Sequence, residues 1–499
     1  MGNTMESRFP WGMFAIRPLP ILPALLALWC AVVAAESGVR PNVLVLLSDD
    51  QRADTIAAWG NPRIRTPNLD RLAARGVSFR NNYCFGGNSG AVCIPSRAML
   101  MSGRTWFRVG HDLEGVETFP TRLRKAGYRT FATGKWHNGP PSFLRSFEQG
   151  RSIHFGGMDD HTRVRVQDLK PDGTFTKPRS AERFSSEQFA DEAIGFLREQ
   201  RPGTPFLAYV AFTAPHDPRN PPESWAARYR SARPPLPRNY LPQHPFDTGQ
   251  LVLRDENLLP WPRPPELLRE QIAEYYGLIS HMDEEIGRIL DALDGSPVAT
   301  NTVIVFASDQ GLALGSHGLL GKQNVYEHSM RSPMMIAGPG IPAGRSVEAF
   351  TYLLDLHPTL CELAGVAPAE GLDGQSLRPL WGNRQARLRE TVFLPYLDLM
   401  RAVRDDQWKL ICYPPTNHRQ LFDLRNDLDE RVNLAGDPDR AADVQRLLGH
   451  LKAWQDRVGD TLPLTTNRPA PLIRDLTGLN REPDGWQPRW IVEKYFGTP

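Results

Sequence analysis

The sequence carries almost no excess of charge. Its 499 residues include 58 Lys and Arg and 56 Asp and Glu, a formal net charge of +2 with neutral histidines. Proteins that bind nucleic acids or anionic membrane surfaces usually carry a marked basic excess, so the composition supports neither class. An anionic substrate would have to be held by a few local cations. Arginine greatly outnumbers lysine, which makes the positions of the few lysines informative.

Cysteine is also scarce. The chain has five cysteines, and no Cys/His group has the spacing of a structural zinc site. Four cysteines lie outside the amino-terminal segment discussed next: Cys84, Cys93, Cys361 and Cys412. In an exported protein an even number of cysteines permits two disulfides, so the sequence alone leaves their pairing open.

The longest apolar run, Leu19–Val33, is interrupted by prolines and is too short to span a bilayer comfortably. Basic residues precede it, and small residues follow it up to Ala35. This arrangement is typical of a secretory signal peptide over residues 1–35, and it predicts a secreted or periplasmic protein with no stable membrane insertion after cleavage. A retained membrane anchor is the alternative. Bulky Trp29 disfavours a lipoprotein at Cys30.

A chain of this length exceeds the usual size of a single core, so we expect a large domain and a smaller one. Four short apolar runs have the composition of parallel strands buried on both faces. They are Asn42–Leu47, Arg129–Thr133, Phe206–Phe212 and Thr302–Ala307. Helical patterns separate them, which predicts an α/β fold with a large, mostly parallel sheet flanked by helices. We place the larger domain at residues 36–383 and a smaller α+β domain at residues 384–499.

Each of these four runs ends in polar side chains. One such residue alone would more often cap a helix than take part in chemistry. Parallel strands, however, bring their carboxyl ends to one edge of the sheet, where α/β proteins bind ligands. The residues concerned are Asp49 and Asp50, Lys135 and His137, His216, and Asp309 and Gln310. The carboxylate and amide oxygens suit Ca²⁺ or Mg²⁺ rather than zinc, and the cationic side chains suit a tetrahedral oxyanion ester.

The segment Cys84–Arg104 contains the pentapeptide Cys93-Ile94-Pro95-Ser96-Arg97. Pro95 suits the first position of a helix, which places Cys93 at a helix amino terminus. Unpaired backbone N–H groups and the helix dipole favour an anion there, and Arg97 adds a fixed positive charge. A buried cysteine at the start of a helix would also explain these five residues taken alone.

The pentapeptide resembles the activation motif of the type I, formylglycine-dependent sulfatases of the alkaline-phosphatase-like superfamily. The resemblance covers nearly all of the mature chain, because further motifs stand in the family's order. They are S-D-D-Q at Asp49, T-P-N-L-D-R-L-A at Pro67, A-G-Y and G-K-W-H at Lys135, T-A-P-H at His216, S-D-Q-G at Asp309, Lys322, and W-K-L and Q-L-F-D-L near the carboxy terminus.

The resemblance implies a sulfuric ester hydrolase in which a formylglycine-generating enzyme oxidises Cys93. Its hydrated aldehyde would attack sulfur with one hydroxyl and expel sulfate with the second. The resemblance also implies roles for the other residues. The calcium ligands would be Asp49, Asp50, Asp309 and Gln310, together with modified Cys93. Arg97 and His137 would hold the diol, Lys135 and Lys322 would hold the sulfate, and His216 would protonate the leaving oxygen.

Some points stay open on the sequence alone. Gln310 stands where Asn or His is more usual in the family, although its amide oxygen can still bind a cation. His317 is either a pocket residue or a structural one. The proline-rich segment 218–265 is either a pocket wall or lid, or a surface insertion. Conversion of Cys93 would leave three mature cysteines, enough for one disulfide at most.

The expected substrate is a sulfated carbohydrate. A phosphoester or phosphonate hydrolase of the same superfamily is the main alternative, since a metal and cations serve phosphoryl and sulfuryl groups alike. A non-catalytic glycan-binding relative would be expected to have lost a metal or nucleophile position, and this sequence keeps all of them.

Overall fold

The first of the four predicted strand segments forms the strand β1 (Asn42–Ser48), which lies inside an eight-stranded sheet in the computed structural model of the protein. The structure describes residues 1–2, 40–476 and 487–497. Residues Met1–Arg40 form one unit and Pro41–Pro499 another, and the account below concerns the second. The signal peptide expected over residues 1–35 lies outside the described residues, apart from the first two.

The remaining strands follow in chain order. They are β2 (Gly76–Phe79), β3 (Asn82–Tyr83), β4 (Arg129–Lys135), β5 (Gln149–His154), β6 (Arg165–Val166), β7 (Arg179–Ser180), β8 (Phe206–Ala211), β9 (Thr302–Ser308), β10 (Met334–Ala337), β11 (Arg345–Val347), β12 (Thr351–Tyr352), β13 (Val392–Tyr396), β14 (Met400–Arg404), β15 (Trp408–Tyr413) and β16 (His418–Asp423).

The α-helices in the described ranges vary widely in length. They are α1 (Pro67–Arg75), α2 (Cys93–Ser102), α3 (Phe119–Lys125), α4 (Pro140–Ser146), α5 (Ser185–Arg198), α6 (Glu223–Ala232), α7 (Pro265–Asp294), α8 (Glu327–Met330), α9 (Leu356–Leu363), α10 (Arg378–Gly382), α11 (Ala441–Val458) and α12 (Arg489–Phe496). Short 3₁₀ helices occur at Ala57–Trp59, Arg254–Leu258, Ala299–Asn301, Leu353–Asp355, Pro414–Thr416 and Pro438–Arg440.

The large sheet has the strand order β11-β2-β10-β9-β1-β8-β4-β5. β1 runs parallel to both of its neighbours, with Val43 opposite Leu207 of β8 and Val303 of β9. β10 is antiparallel to β9 and to β2. The prediction of a large, mostly parallel sheet flanked by helices is therefore confirmed, and the four predicted strands lie side by side in the order β9-β1-β8-β4.

The two faces of β1 enter different cores because successive side chains of a strand point to opposite sides. Leu44 and Leu46 pack in a cluster with Met282 and Ile286 of the long helix α7. Val43 and Val45 belong to the core that includes residues of α2. Every residue of β1 is buried, and this double burial accounts for its uninterrupted apolar sequence.

The carboxy-terminal part forms the small antiparallel sheet β13-β14-β15-β16, with α11 contacting β14 and β15. This is the small α+β module that the sequence predicts. Its core is continuous with that of the large sheet: the Phe85 and Phe393 ring centroids lie 5.9 Å apart. The domain boundary after residue 383 stays a prediction.

The cysteines Cys84, Cys93, Cys361 and Cys412 are all buried and free. Within the described residues, no helix combines the length and the apolar character that a membrane crossing would need.

Candidate active site

A cavity of about 580 Å³ opens where β1, β4, β8 and β9 end. Its lining includes four residues singled out from the sequence: Cys93, His137, His216 and Lys322. Asp49, Asp50, Asp309 and Gln310 lie behind these residues and are almost completely buried. The loops after four parallel strands thus deliver the predicted side chains to one place.

Cys93 is the first residue of α2, a helix that is buried along nearly its whole length. The Ser96 hydroxyl donates to the Asp309 carbonyl at 2.6 Å and fixes this helix start to the end of β9. The sequence suggested that Pro95 occupies the first position of the helix. In the structure Pro95 occupies the third position. The difference has a simple cause, because none of the first N–H groups of a helix has an intrahelical acceptor and proline fits anywhere in that turn.

Asp50 has a left-handed backbone conformation, with φ of 64°. Its backbone N–H donates to Asp309 Oδ1 at 3.1 Å, and its carbonyl accepts from the Tyr275 hydroxyl at 2.6 Å. Such a conformation costs about 1–3 kcal/mol and occurs where surrounding contacts impose it. The turn places the Asp50 carboxylate beside Cys93, with Oδ1 4.0 Å from Sγ.

Three cations neutralise the buried carboxylates. The Lys135 ammonium donates to Asp49 Oδ2 at 2.5 Å, and Lys322 Nζ lies 2.7 Å from Asp50 Oδ2 and 3.1 Å from Cys93 Sγ. The Arg97 guanidinium reaches Asp309 with an Nε–Oδ2 distance of 3.0 Å. The predicted cationic groups therefore surround the cysteine.

The surroundings shift the pKa values of Asp49 and Asp309 in opposite directions. Burial alone would raise the pKa of Asp49, but Lys135, His216 and Arg97 hold that pKa well below its usual range. Burial, together with the neighbouring charge of Asp49, raises the pKa of Asp309 to about 7 in spite of Arg97. The raised pKa of Asp309 thus reflects its burial beside a second carboxylate.

The two predicted histidines differ in charge. Burial, followed by Lys135 and Arg97, lowers the pKa of His137 well below its usual value, so its ring is neutral. Its ring lies directly against Gly157, where an added Cβ would come within 2.8 Å of Nε2.

At His216, burial and Lys322 oppose protonation, but Asp50 and Asp217 raise the pKa well above its usual value. His216 Nε2 lies 3.6 Å from Asp50 Oδ2. The two carboxylates thus favour the protonated ring, the state that a proton donor requires.

The buried acidic side chains around Cys93 fit a metal site. Ligand atoms from Asp49, Asp50, Cys93 and His216 lie within 4.8 Å of one another. The Gln310 side chain reaches the same place, because its Nε2 is 2.5 Å from Asp50 Oδ1 and 3.2 Å from Cys93 Sγ. Its Oε1 is buried without a hydrogen-bond partner, and an exchange of the amide oxygen and nitrogen would present this oxygen to a metal.

His317 lies outside this cavity lining. Its Nε2 is 2.9 Å from the Glu430 carbonyl, and its ring stacks on Tyr326 with centroids 4.0 Å apart. Burial lowers its pKa to about 4. These contacts favour the structural alternative for His317.

The sequence did not single out several cavity residues. Leu253, Arg254 and Asp255 line the cavity, so the proline-rich segment 218–265 contributes a wall. Asp217 touches His216 Nδ1 through Oδ1 at 3.2 Å. Its position directly after the T-A-P-H motif was the available signal, but adjacency alone does not show which way a side chain points.

Comparison with known proteins gives a consistent result. The family model described as Sulfatase matches residues 41–366, and the one described as N-sulphoglucosamine sulphohydrolase, C-terminal, matches residues 315–457. A choline-sulfatase of Rhizobium meliloti is 30% identical over 434 residues, which cover 80% of this chain and 83% of that protein.

Two solved structures share the fold closely. The first is a protein solved in complex with its substrate D-glucosamine-2-N,6-O-disulfate. It matches with a TM-score of 0.73 and 25% identity, covering 85% of this chain and 99% of that one. A phosphonate monoester hydrolase of Agrobacterium radiobacter matches with a TM-score of 0.69 and 25% identity, covering 84% and 96%. With the family model spanning most of the chain, the protein belongs to the sulfatase family of enzymes in the alkaline-phosphatase-like superfamily.

Proposed function

We propose that this sulfatase removes sulfate from a sulfated carbohydrate by means of a formylglycine made from Cys93 and a bound calcium ion. The observation that carries the proposal is the position of Cys93, which lines the cavity. Its Sγ lies 3.1 Å from Lys322 Nζ, 3.2 Å from Gln310 Nε2 and 3.5 Å from Asp49 Oδ1. A reactive group at this atom would face both the cavity and the proposed metal ligands.

The proposed calcium ligands are Asp49, Asp50, Asp309 and Gln310, together with the modified side chain at position 93. When bound, the ion would supply charge neutralisation at the sulfate oxygens. We prefer calcium to magnesium because a buried site with several carboxylates suits the larger ion, whereas magnesium usually keeps several waters.

The hydrated formylglycine would supply one hydroxyl for attack on sulfur and a second for release of sulfate. Arg97 and His137 would hold this diol: Arg97 is fixed by Asp309 and by the Lys135 carbonyl, and buried His137 Nδ1 has no hydrogen-bond partner. Lys135 and Lys322 would hold the sulfate oxygens. His216 would donate a proton to the leaving oxygen.

The sugar assignment is supported by the walls of the cavity. Arg165, Asp255 and Gln323 present hydrogen-bonding groups to a space of about 580 Å³, within the ordinary size of a small-molecule site. The substrate-bound structural neighbour holds a sulfated glucosamine. The choline-sulfatase relative makes choline sulfate the second substrate to try. A screen of defined sulfated saccharides and choline sulfate, read by sulfate release, tests the assignment.

Hydrolysis of a phosphonate or phosphate ester is the second candidate, favoured by the phosphonate monoester hydrolase among the structural neighbours. Sulfate monoesters carry one charge fewer than fully ionised phosphate monoesters. We expect kcat/KM for 4-nitrophenyl sulfate to exceed that for 4-nitrophenyl phosphate and for a matched phosphonate. A preference for either phosphorus ester would replace the sulfatase proposal for this chain.

We expect replacement of His216 by alanine to lower kcat/KM on a sugar sulfate by roughly 10²–10⁴-fold, the usual scale of general acid catalysis. A sugar alkoxide needs a proton to leave, whereas nitrophenolate does not, so 4-nitrophenyl sulfate should lose far less. Steady-state kinetics on the two substrates measures the difference.

Lys322→Ala is the matched control for His216→Ala. Lys322 is proposed to bind the sulfate group, which is identical in the two substrates. The Lys322 variant should therefore lose the same factor in kcat/KM on both substrates. Equal losses in His216→Ala as well would reject the acid role and leave His216 as a sulfate ligand.

We also propose that the chain is exported through residues 1–35 and meets a formylglycine-generating enzyme during maturation. Amino-terminal sequencing of the purified protein checks the cleavage site after Ala35. A mature protein that begins at Met1 would contradict export by this route.

A further inference from the structure

We propose that Asp217 is a positioning residue for His216, and that residues 487–497, the carboxy-terminal segment, hold Asp217 in place through Gln487. The inference rests on the proton-donor role proposed above for His216. It assigns a part in the reaction to a segment that lies about 270 residues further along the chain.

The contacts of His216 define the first step. Its Nδ1 lies 2.9 Å from the Asp217 carbonyl oxygen and 3.2 Å from Asp217 Oδ1. Nδ1–H therefore points at Asp217, which leaves Nε2 on the side of Asp50 and Cys93. A carboxylate on one ring nitrogen fixes the direction of the other.

Asp217 is itself held from two sides, and only 5% of its surface is exposed. Arg254 of the cavity wall donates from Nη1 to Oδ1 at 3.0 Å and also contacts Oδ2. The Gln487 amide donates from Nε2 to Oδ2 at 2.8 Å. Both oxygens are thus engaged while the carboxylate faces His216.

The position of Gln487 is set by the helix that follows it. α12 buries Ile491 and Tyr495 in the same cluster as Ile272 of α7. Lys494 Nζ adds an ion pair with Glu270 Oε1 at 2.7 Å, and both Lys494 and the Tyr495 hydroxyl contact Glu274. The segment is therefore attached to α7, the longest helix among the described residues, and these contacts fix the backbone from which Gln487 reaches Asp217.

The consequence concerns only part of the reaction. If Asp217 loses its contacts, the His216 ring can turn away from the leaving oxygen, but the cysteine, the lysines and the carboxylates keep their places. Esters that need a proton to leave should suffer, whereas activated esters should not. A purely structural role for Asp217 would affect all esters alike.

The experiment compares Asp217→Asn and Gln487→Leu on 4-nitrophenyl, 4-chlorophenyl and phenyl sulfate. Asp217→Asn keeps the shape of the side chain, and we expect a loss of roughly 10- to 100-fold on phenyl sulfate, with little change on 4-nitrophenyl sulfate. Gln487→Leu removes one neutral hydrogen bond, and we expect a loss of roughly 3- to 10-fold in the same direction. Dependence of kcat/KM on the leaving group should become steeper in both.

Arg489→Ala is the control, because Arg489 is exposed on the same segment and pairs only with Glu493 among its described contacts. We expect it to behave as the wild type. If Asp217→Asn does not fold, Gln487→Leu decides the question. Losses that are equal across the three esters in the folded variants would overturn this inference.

His216→Ala measured on the same three esters separates the two proposals. One outcome is a loss of kcat/KM that grows as the leaving group becomes poorer in His216→Ala but is equal for all three esters in both Asp217→Asn and Gln487→Leu. This outcome refutes the positioning role and leaves the proposed function intact. If His216→Ala loses the same factor in kcat/KM on all three esters, the acid role of His216 is refuted. The positioning role of Asp217 is then refuted with it.

Discussion

Replacement of Cys93 by alanine is expected to abolish sulfate release, with a fall in kcat on the order of 10⁵-fold or more, the scale seen when an enzyme loses its nucleophile. The fold should survive because the side chain is small and the remaining contacts of α2, such as that between Ser96 and Asp309, are unchanged. Turnover of an aryl sulfate and the thermal unfolding temperature together measure this result.

Cys84→Ala is the matched control. Cys84 is also buried, and its Sγ donates to the Gly86 carbonyl at 3.3 Å. Burial raises the pKa of its thiol to about 12, so it is not a reactive group at neutral pH. We expect the Cys84 variant to keep most of its activity. Loss of activity in both variants would point to packing rather than to a nucleophile.

Peptide mass spectrometry provides a second test at position 93. An active preparation should contain a peptide in which an aldehyde replaces the thiol of Cys93. A fully active sample whose Cys93 carries only the free thiol would rule out the formylglycine proposal, even if Cys93→Ala is inactive.

Removal of the metal is the second large effect that we expect. Exhaustive chelation should abolish turnover, and Ca²⁺ should restore it while Zn²⁺ should not, because the ligands proposed from Asp49, Asp50, Asp309 and Gln310 are all oxygens. Binding should also raise stability, by about 2.7 kcal/mol when Ca²⁺ is present at 100 times its Kd. Elemental analysis measures the bound metal, and thermal unfolding measures the stability that it adds, both independently of activity.

Two variants test the ligand set. Asp309→Ala should weaken Ca²⁺ binding more than Gln310→Ala, because it removes a charged ligand and also the partner of Arg97. Calcium titration by calorimetry gives both affinities. Full activity in a sample shown to be metal-free would exclude the metal from the reaction, and unchanged affinity in Gln310→Ala would remove Gln310 from the ligand set.

The sequence was most informative where chemistry follows a regular element. Asp49, Lys135, His216 and Asp309 each stand at the end of a buried parallel strand, and parallel strands must bring those ends together. The register of β1 with β8 and β9 then sets the distances between them. Their convergence could be predicted without knowledge of any side-chain conformation.

The support of the site could not be predicted in the same way. Gln487 precedes α12 and contacts Asp217, and no periodic pattern connects residues so far apart in the chain. Arg254 belongs to the proline-rich segment 218–265, whose sequence shows little periodicity. The place of His317 depends on stacking with Tyr326, a contact that composition and spacing do not encode.

The strand order also bears on the maturation proposed for Cys93. β1 gains its two neighbours only from residues 206–211 and 302–308, and Asn42 pairs with Thr302 across 260 positions. Sheets closed by such distant segments form slowly. Cys93 is 1% exposed in the folded protein, so the proposed modifying enzyme would need a chain in which β9 has not yet joined the sheet.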